Sequence, residues 1–120
     1  MDDYINKKYI EVKNELIKKA INGESTFYSE LMEKFHISRR WIGKILFRVA
    51  DSCHSNHEPI LSSLVERKGG NIGTGYSYVV LNYGADKDFR REQIKCFNYW
   101  KNKNNNTPLK YAVLIKNKQN

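Results

Sequence analysis

The stretch 26–48, TFYSELMEKFHISRRWIGKILFR, decides how this chain is read. Leu31, Met32 and Phe35 mark the inward side of a short helix over Phe27–Phe35, with Ser25 or Thr26 before it as N-cap. His36-Ile37-Ser38 reads as a tight turn, and Ser38 stands where it can cap a longer helix running from Arg39 to about Cys53. Along that second helix Arg40, Lys44 and Arg48 recur every four residues, so they share one face. Trp41, Ile42, Ile45, Val49 and Cys53 fall on the other side and can bury. A helix that follows a tight turn, apolar on one flank and cationic on the other, suits docking against phosphates in a DNA groove.

Upstream, Ile5, Tyr9, Val12, Leu16 and Ala20 step by three or four and predict an amphipathic helix over Tyr4–Asn22, which Asn22-Gly23 ends. Three helices with a tight turn between the second and third make a helix-turn-helix. Downstream, the polar segment SCHSNHEP reads as a loop. Ile60–Arg67 and Tyr76–Asn82 are β-prone runs, and the glycines of residues 68–75 suit a hairpin tip between them. A hairpin in that place is a wing. Asp86 opens a further amphipathic helix containing Phe89, Gln93, Phe97 and Trp100, and Lys101–Asn106 is a polar break. Leu109–Ile115 reads either as one more strand or as a tail ordered by a partner. The expected fold class is therefore α+β, a winged helix-turn-helix over residues 1–102 with a polar basic tail over 103–120.

The chain has 120 residues and a formal charge of +8. Residues 86–120 alone contribute +6, with nine Lys/Arg against three acids, whereas 23–60 are neutral. Ser38 to Ala50 is nevertheless free of acids, so the second helix of the pair carries a positive local field. A basic domain suits nucleic acid first, then anionic lipid or an acidic protein. Cys53 and Cys96 are too few and too far apart for a zinc ribbon or a disulfide framework. No run approaches the ~20 apolar residues of a membrane span, and the N-terminus lacks the layout of a secretory signal. The expected setting is cytoplasmic, with no membrane partner.

The order of these motifs resembles the DNA-binding domain of the O6-alkylguanine-DNA alkyltransferases and alkyltransferase-like proteins. Phe27-Tyr28-Ser29-Glu30-Leu31-Met32 is similar to their Thr/Ser-Tyr-x-x-Leu-Ala helix, and Arg40-Trp41-Ile42-Gly43 to their Arg-Ala-Val-Gly recognition helix. Gly69–Tyr78 resembles the wing and Phe89–Phe97 the closing helix, so the likeness spans roughly residues 25–100. It implies that Tyr28 lies against the DNA backbone and that Arg40 enters the duplex. The active-site Pro-Cys-His-Arg of the family falls at Pro59-Ile60-Leu61-Ser62, which has neither acceptor cysteine nor histidine. A serine hydroxyl without a base is a poor nucleophile, so the likeness implies DNA binding without alkyl transfer.

The candidate DNA-binding residues are accordingly Tyr28, Ser38, Arg39, Arg40, Lys44 and Arg48, with Arg67 and Lys68 at the wing. Arg39 and Arg40 suit base edges, while Lys44 and Arg48 suit phosphates. Asn71 and Thr74 are placed to help at the wing. Arg90 and Arg91, with Lys87 and Lys95, form a second basic helix face that extends the footprint. Tyr76 and Tyr78 alternate on the second wing strand and point one way, either into the core or outward as a platform for bases. Gly43 permits close approach of a backbone, from DNA or from a neighbouring helix. Cys53-His54 and His57 lack the fourth ligand of a structural zinc site, so neither metal nor cofactor is expected. The resulting expectation is a non-enzymatic protein whose partner is double-stranded DNA. The alternative is a small phage or mobile-element protein that inhibits a host nucleic-acid enzyme through protein–protein contacts.

Overall fold

The computed structural model describes residues 2–69, 71–72 and 75–111, with side chains at 3–69 and 75–104. The order is α1 (Asp2–Ile21), β1 (Thr26–Phe27), α2 (Tyr28–Phe35), α3 (Arg39–Ser55), a 3-10 turn (Leu61–Leu64), β2 (Val65–Arg67), β3 (Asn71–Ile72), α4 (Tyr76–Tyr83) and α5 (Phe89–Tyr111). The chain is thus mostly helical with a small sheet, an α+β arrangement. No helix among the described residues is long and apolar enough to cross a membrane.

α1 ends where its sequence says it should. Gly23 takes φ +71°, a left-handed value that costs a residue with a Cβ, and lets the Glu24 N–H return to the Lys19 carbonyl at 2.8 Å. α2 begins one residue later than expected. Phe27, not Ser25 or Thr26, is its N-cap, because the Glu30 carboxylate reaches back to the Phe27 N–H (3.1 Å) and also accepts the Thr26 hydroxyl (2.6 Å). His36 closes α2 in the left-handed conformation, and Lys8 donates to the Phe35 carbonyl at 2.7 Å, a cation at a helix C-terminus. Ile37, buried in the three-residue connection, pins it to the core. Ser38 is the N-cap of α3 in an extended conformation, but its side chain makes no capping bond.

α3 lies against α1, and α1 also lies against α5. The core between them takes Val12, Leu16 and Ala20 from α1 and Ile42, Ile45, Val49 and Cys53 from α3. Cys96 and Trp100 enter it from α5. Fully burying one such aliphatic side chain is worth roughly 1.5–3 kcal/mol, so this three-helix contact carries much of the fold.

The expected wing hairpin of Ile60–Arg67 and Tyr76–Asn82 is not formed. Ile60, Leu61 and Leu64 are all buried, so residues 61–64 coil into a 3-10 turn and only Val65–Arg67 remain extended. β2 pairs parallel with β1 (Thr26↔Val65, Phe27↔Glu66) and makes a short antiparallel pairing with β3 (Glu66↔Ile72, Arg67↔Asn71). Tyr76–Tyr83 is the helix α4. Its valines suggested a strand, yet Tyr76, Val79, Val80 and Tyr83 follow the i, i+3, i+4, i+7 spacing of a helical face. Gly84 at φ +71° then closes that helix.

α5 likewise runs through the expected break at Lys101–Asn106. Asparagine lowers helix propensity by at most ~0.7 kcal/mol per residue and breaks nothing alone. Lys103 lies 5.6 Å from both the Tyr99 and Trp100 ring centroids, which supports the helix at that point. Of the expected strand Leu109–Ile115, residues 109–111 are helical backbone and 112–115 lie outside the described residues, as does Thr74.

Candidate nucleic-acid interface

α3 turns Ile42, Ile45, Leu46, Val49 and Cys53 inward and leaves Arg39, Arg40, Gly43, Lys44 and Phe47 exposed. The exposed residues form a ridge, because their spacing repeats with the helix. Trp41 is half-buried against Tyr4, with ring centroids 6.4 Å apart. The Arg40 guanidinium and the Lys44 ammonium sit 5.3 Å and 5.1 Å from the Trp41 centroid, so one indole steers two cations along the ridge.

Arg48 leaves this stripe. It lies 4.6 Å over the Tyr9 ring, donates to Asn6 Oδ1 at 3.0 Å and approaches Asp51 at 3.8 Å. The four-residue repeat put Arg48 in line with Lys44, but these contacts tie it to α1. Its charge is partly spent within the chain.

A hollow flanks the ridge on each side. The smaller, about 570 Å³, lies between α1 and α3 and is lined by Asn6, Lys44, Phe47 and Arg48. The larger, about 1030 Å³, opens between α2 and α3 on one side and β2 and α4 on the other. Tyr28, Arg39, Arg67 and Lys68 line it, and Ile42, Leu46 and Val79 contribute apolar surface. Burial pushes the Tyr28 phenol above its usual pKa, with the Arg67 charge pulling the other way. Arg67 stands 6.0 Å from the centroid of that ring. Tyr28 therefore enters the hollow as a neutral hydroxyl able to donate a hydrogen bond.

Arg39, Arg40, Lys44, Arg67 and Lys68 make no ion pair with a carboxylate among the described residues. One acid, Glu66, does line the larger hollow. It is buried, and Arg90 Nη1 (2.8 Å) and Gln93 Nε2 (2.7 Å) both donate to its carboxylate. Glu30, exposed at the start of α2, is held below the usual carboxylate range by the Thr26 hydroxyl and the Phe27 N–H, with smaller help from Lys19 and Lys68.

The second basic face, on α5, has a different character. Arg90 pairs with Glu66, Arg91 with Asp88 at 3.7 Å, and Lys95 with Asp86 at 3.5 Å. Arg91 and Lys95 thus meet acids close to them in sequence, whereas the partner of Arg90 lies 24 positions away.

In the larger hollow, sequence reasoning missed Phe47 and left Tyr78 open between the core and an outward platform. Phe47 and Tyr78 are 43% and 46% exposed, with ring centroids 5.2 Å apart at an interplanar angle of 49°. A signal existed for Phe47: it follows Gly43 by four residues and so falls on the ridge rather than in the core. Tyr76 and Tyr78 do not point one way, because α4 is a helix. Tyr76 is buried with its hydroxyl donating to the Asp86 carbonyl, while Tyr78 faces outward. Gly43 has open space where a Cβ would stand, so no neighbouring helix explains it.

Nucleophiles are scarce here. Burial raises the Cys53 thiol to about 11 and raises Cys96 further, so both are protonated at neutral pH. Ser62 lines the larger hollow at the place of the alkyltransferase-like motif, but the nearby Glu66 carboxylate is engaged by Arg90 and Gln93. Among the described residues no three His, Cys, Asp or Glu side chains converge as metal ligands. His54 stacks on Tyr83 at 4.7 Å instead. In comparisons with known proteins, no family model, curated protein or solved structure matches this chain.

Proposed function

We propose that this chain is a non-enzymatic nucleic-acid-binding protein that seats the α3 ridge in the groove of double-stranded DNA. The observation that carries the reading is the set of cations around that ridge, Arg39, Arg40, Lys44, Arg67 and Lys68, none within ion-pair distance of a carboxylate among the described residues. The hollows on either side of α3 suit the two phosphate ridges that flank a DNA groove. Arg39 and Arg40, at the helix N-terminus, face base edges. Lys44 reaches phosphates from one hollow, and Arg67 and Lys68 reach them from the other. On this reading α2, α3 and the β2–β3 pair act as a winged helix-turn-helix, with Tyr28 and Arg40 in the DNA-facing positions that the alkyltransferase-like resemblance implies. Free, buried Cys53 and Cys96 suit a reducing cytoplasm.

Fluorescence anisotropy of a labelled duplex over a salt series tests this. Each neutralised phosphate contributes roughly −0.9 to the log–log slope, so a slope of about −3 to −5 is expected. No detectable binding at low salt to either random or selected duplexes rejects the proposal. The protein-partner reading is second, and Leu81 favours it: this leucine is 84% exposed on α4 beside Tyr78. A stoichiometric partner that survives nuclease treatment and is lost in Leu81→Lys supports that alternative.

A further inference from the structure

Phosphates alone do not account for the larger hollow. A surface that only follows a sugar–phosphate backbone needs cations and hydrogen-bond donors, yet this one includes Ile42, Leu46 and Val79. Two large rings, Phe47 and Tyr78, are left nearly half exposed at its edge. They meet at a 49° tilt rather than face to face, and each lies about 6 Å from the Tyr83 ring, so the three form one aromatic cluster at the hollow's edge. Exposed ring faces beside cations are what unpaired bases use, since every base has a π-face to stack and a phosphate to neutralise. Paired bases in a duplex keep those faces hidden in the helical stack.

Resting on the nucleic-acid reading above, we infer that the larger hollow takes unpaired nucleotides. Bases stack on Phe47 and Tyr78, and Arg67 and Lys68 hold the phosphates where the backbone passes from the paired to the unpaired part. The preferred ligand is therefore a duplex that continues into a single strand, with α3 on the paired part. At about 1030 Å³ the hollow reaches the upper end of the range for small-molecule sites, roughly 300–1,000 Å³, and has room for more than one nucleotide. Its charge fits the same ligand. The one carboxylate lining it, Glu66, is already neutralised by Arg90, so an incoming phosphate meets net positive charge.

The test compares three labelled probes at fixed salt: a blunt duplex, the same duplex with a short single-stranded overhang, and the same duplex with an abasic overhang. Base–aromatic stacking predicts a gain of roughly tenfold in affinity for the natural overhang over the blunt end. That gain, read for each variant as the ratio of its own overhang and blunt-duplex affinities, is lost with the abasic overhang and in Tyr78→Ala, a position 46% exposed on α4. Phe47→Ala removes the gain as well, and a 2-aminopurine placed in the overhang reports the stacking directly. No gain with the natural overhang, an equal gain with the abasic one, or a gain that persists in Tyr78→Ala overturns the inference while leaving duplex binding intact. Failure of every probe to bind rejects the nucleic-acid reading itself.

Discussion

The cations at the start of α5 and those around α3 differ in what answers them. Arg90, Arg91 and Lys95 each meet a carboxylate, and beneath them lies a buried polar network. In it Glu92 accepts the N–H groups of Ile60 (2.8 Å) and Asp86 (2.9 Å), and Gln93 donates to the Ser63 carbonyl (2.8 Å). Cys96 Sγ completes it, 3.4 Å from the Ile60 carbonyl. Around α3 the reverse holds: Arg39, Arg40 and Lys44 lean on Trp41 or on solvent, and no described acid neutralises them. Formal charge thus divides into a part answered within the chain and a part that meets no carboxylate among the described residues. A charge count alone does not make that division, since it does not show pairings such as Arg90 with Glu66, 24 positions apart.

If the α5 side is structural, breaking it should act on stability first. Glu92→Ala orphans two backbone N–H groups at a site only 3% exposed. Hydrogen bonds to a charged acceptor contribute about 1.5–3 kcal/mol each, so a loss of about 3 kcal/mol is expected from urea denaturation. Glu92→Gln, which retains a single carbonyl acceptor, should fall between. An unchanged urea midpoint in Glu92→Ala would remove the structural half of the comparison.

The core shared by α1, α3 and α5 makes a second, pH-dependent claim. Burial raises Cys53 from 9.0 to about 11, so the unfolded chain releases this proton at lower pH than the folded one. Its contribution is fully present below pH 9 and is lost as pH rises from there towards 11. The loss should approach the order of 2 kcal/mol. Stability measured against pH for the wild type and for Cys53→Ala isolates it, since lysines and tyrosines titrate in both. At pH 8 the native protein should also resist thiol-specific reagents that label it rapidly in urea.

How far the sequence reached follows the same line. The three N-terminal helices, the tight turn and the end of α1 at Asn22-Gly23 were legible, because local periodicity and capping residues determine them. The wing was misread where β-branched Val79 and Val80 outweighed the helical spacing of Tyr76, Val79, Val80 and Tyr83. The polar run Lys101–Asn106 was misread because its composition, not a helix-breaking residue, suggested the stop. Around the hollow, the exposure of Arg39, Arg40 and Lys44 followed from the helix period, and that of Arg67 and Lys68 from their place beside the glycine-rich run. The pairing of Arg90 with Glu66 and the turning of Arg48 onto Tyr9 did not follow, being contacts across 24 and 39 positions.

On the α3 side, removing charge should change binding and spare the fold. Arg67→Ala/Lys68→Ala should lower the magnitude of the salt slope by about 2 and weaken duplex affinity roughly tenfold. Arg91→Ala, at a side chain 71% exposed but paired with Asp88, should change affinity much less. Equal effects from the two would erase the distinction between the faces, and anisotropy titrations at matched salt decide it.

The smallest effect is also the most discriminating, because its two readouts should move in opposite directions. Gly43 sits mid-helix on the ridge, with nothing within 4 Å of where a Cβ would be. Glycine there destabilises a helix by about 0.8–1.0 kcal/mol relative to alanine, and no internal packing explains its presence. Gly43→Ala should therefore raise the urea midpoint by an amount equivalent to as much as ~1 kcal/mol. If the glycine serves close approach of a partner to α3, the same substitution should weaken duplex binding, and Gly43→Leu should weaken it more in a chain that still folds. Gly43→Leu binding as tightly as wild type would mean that the ridge is not where the ligand sits. The unpaired cations beside it would then be ordinary solvated charge.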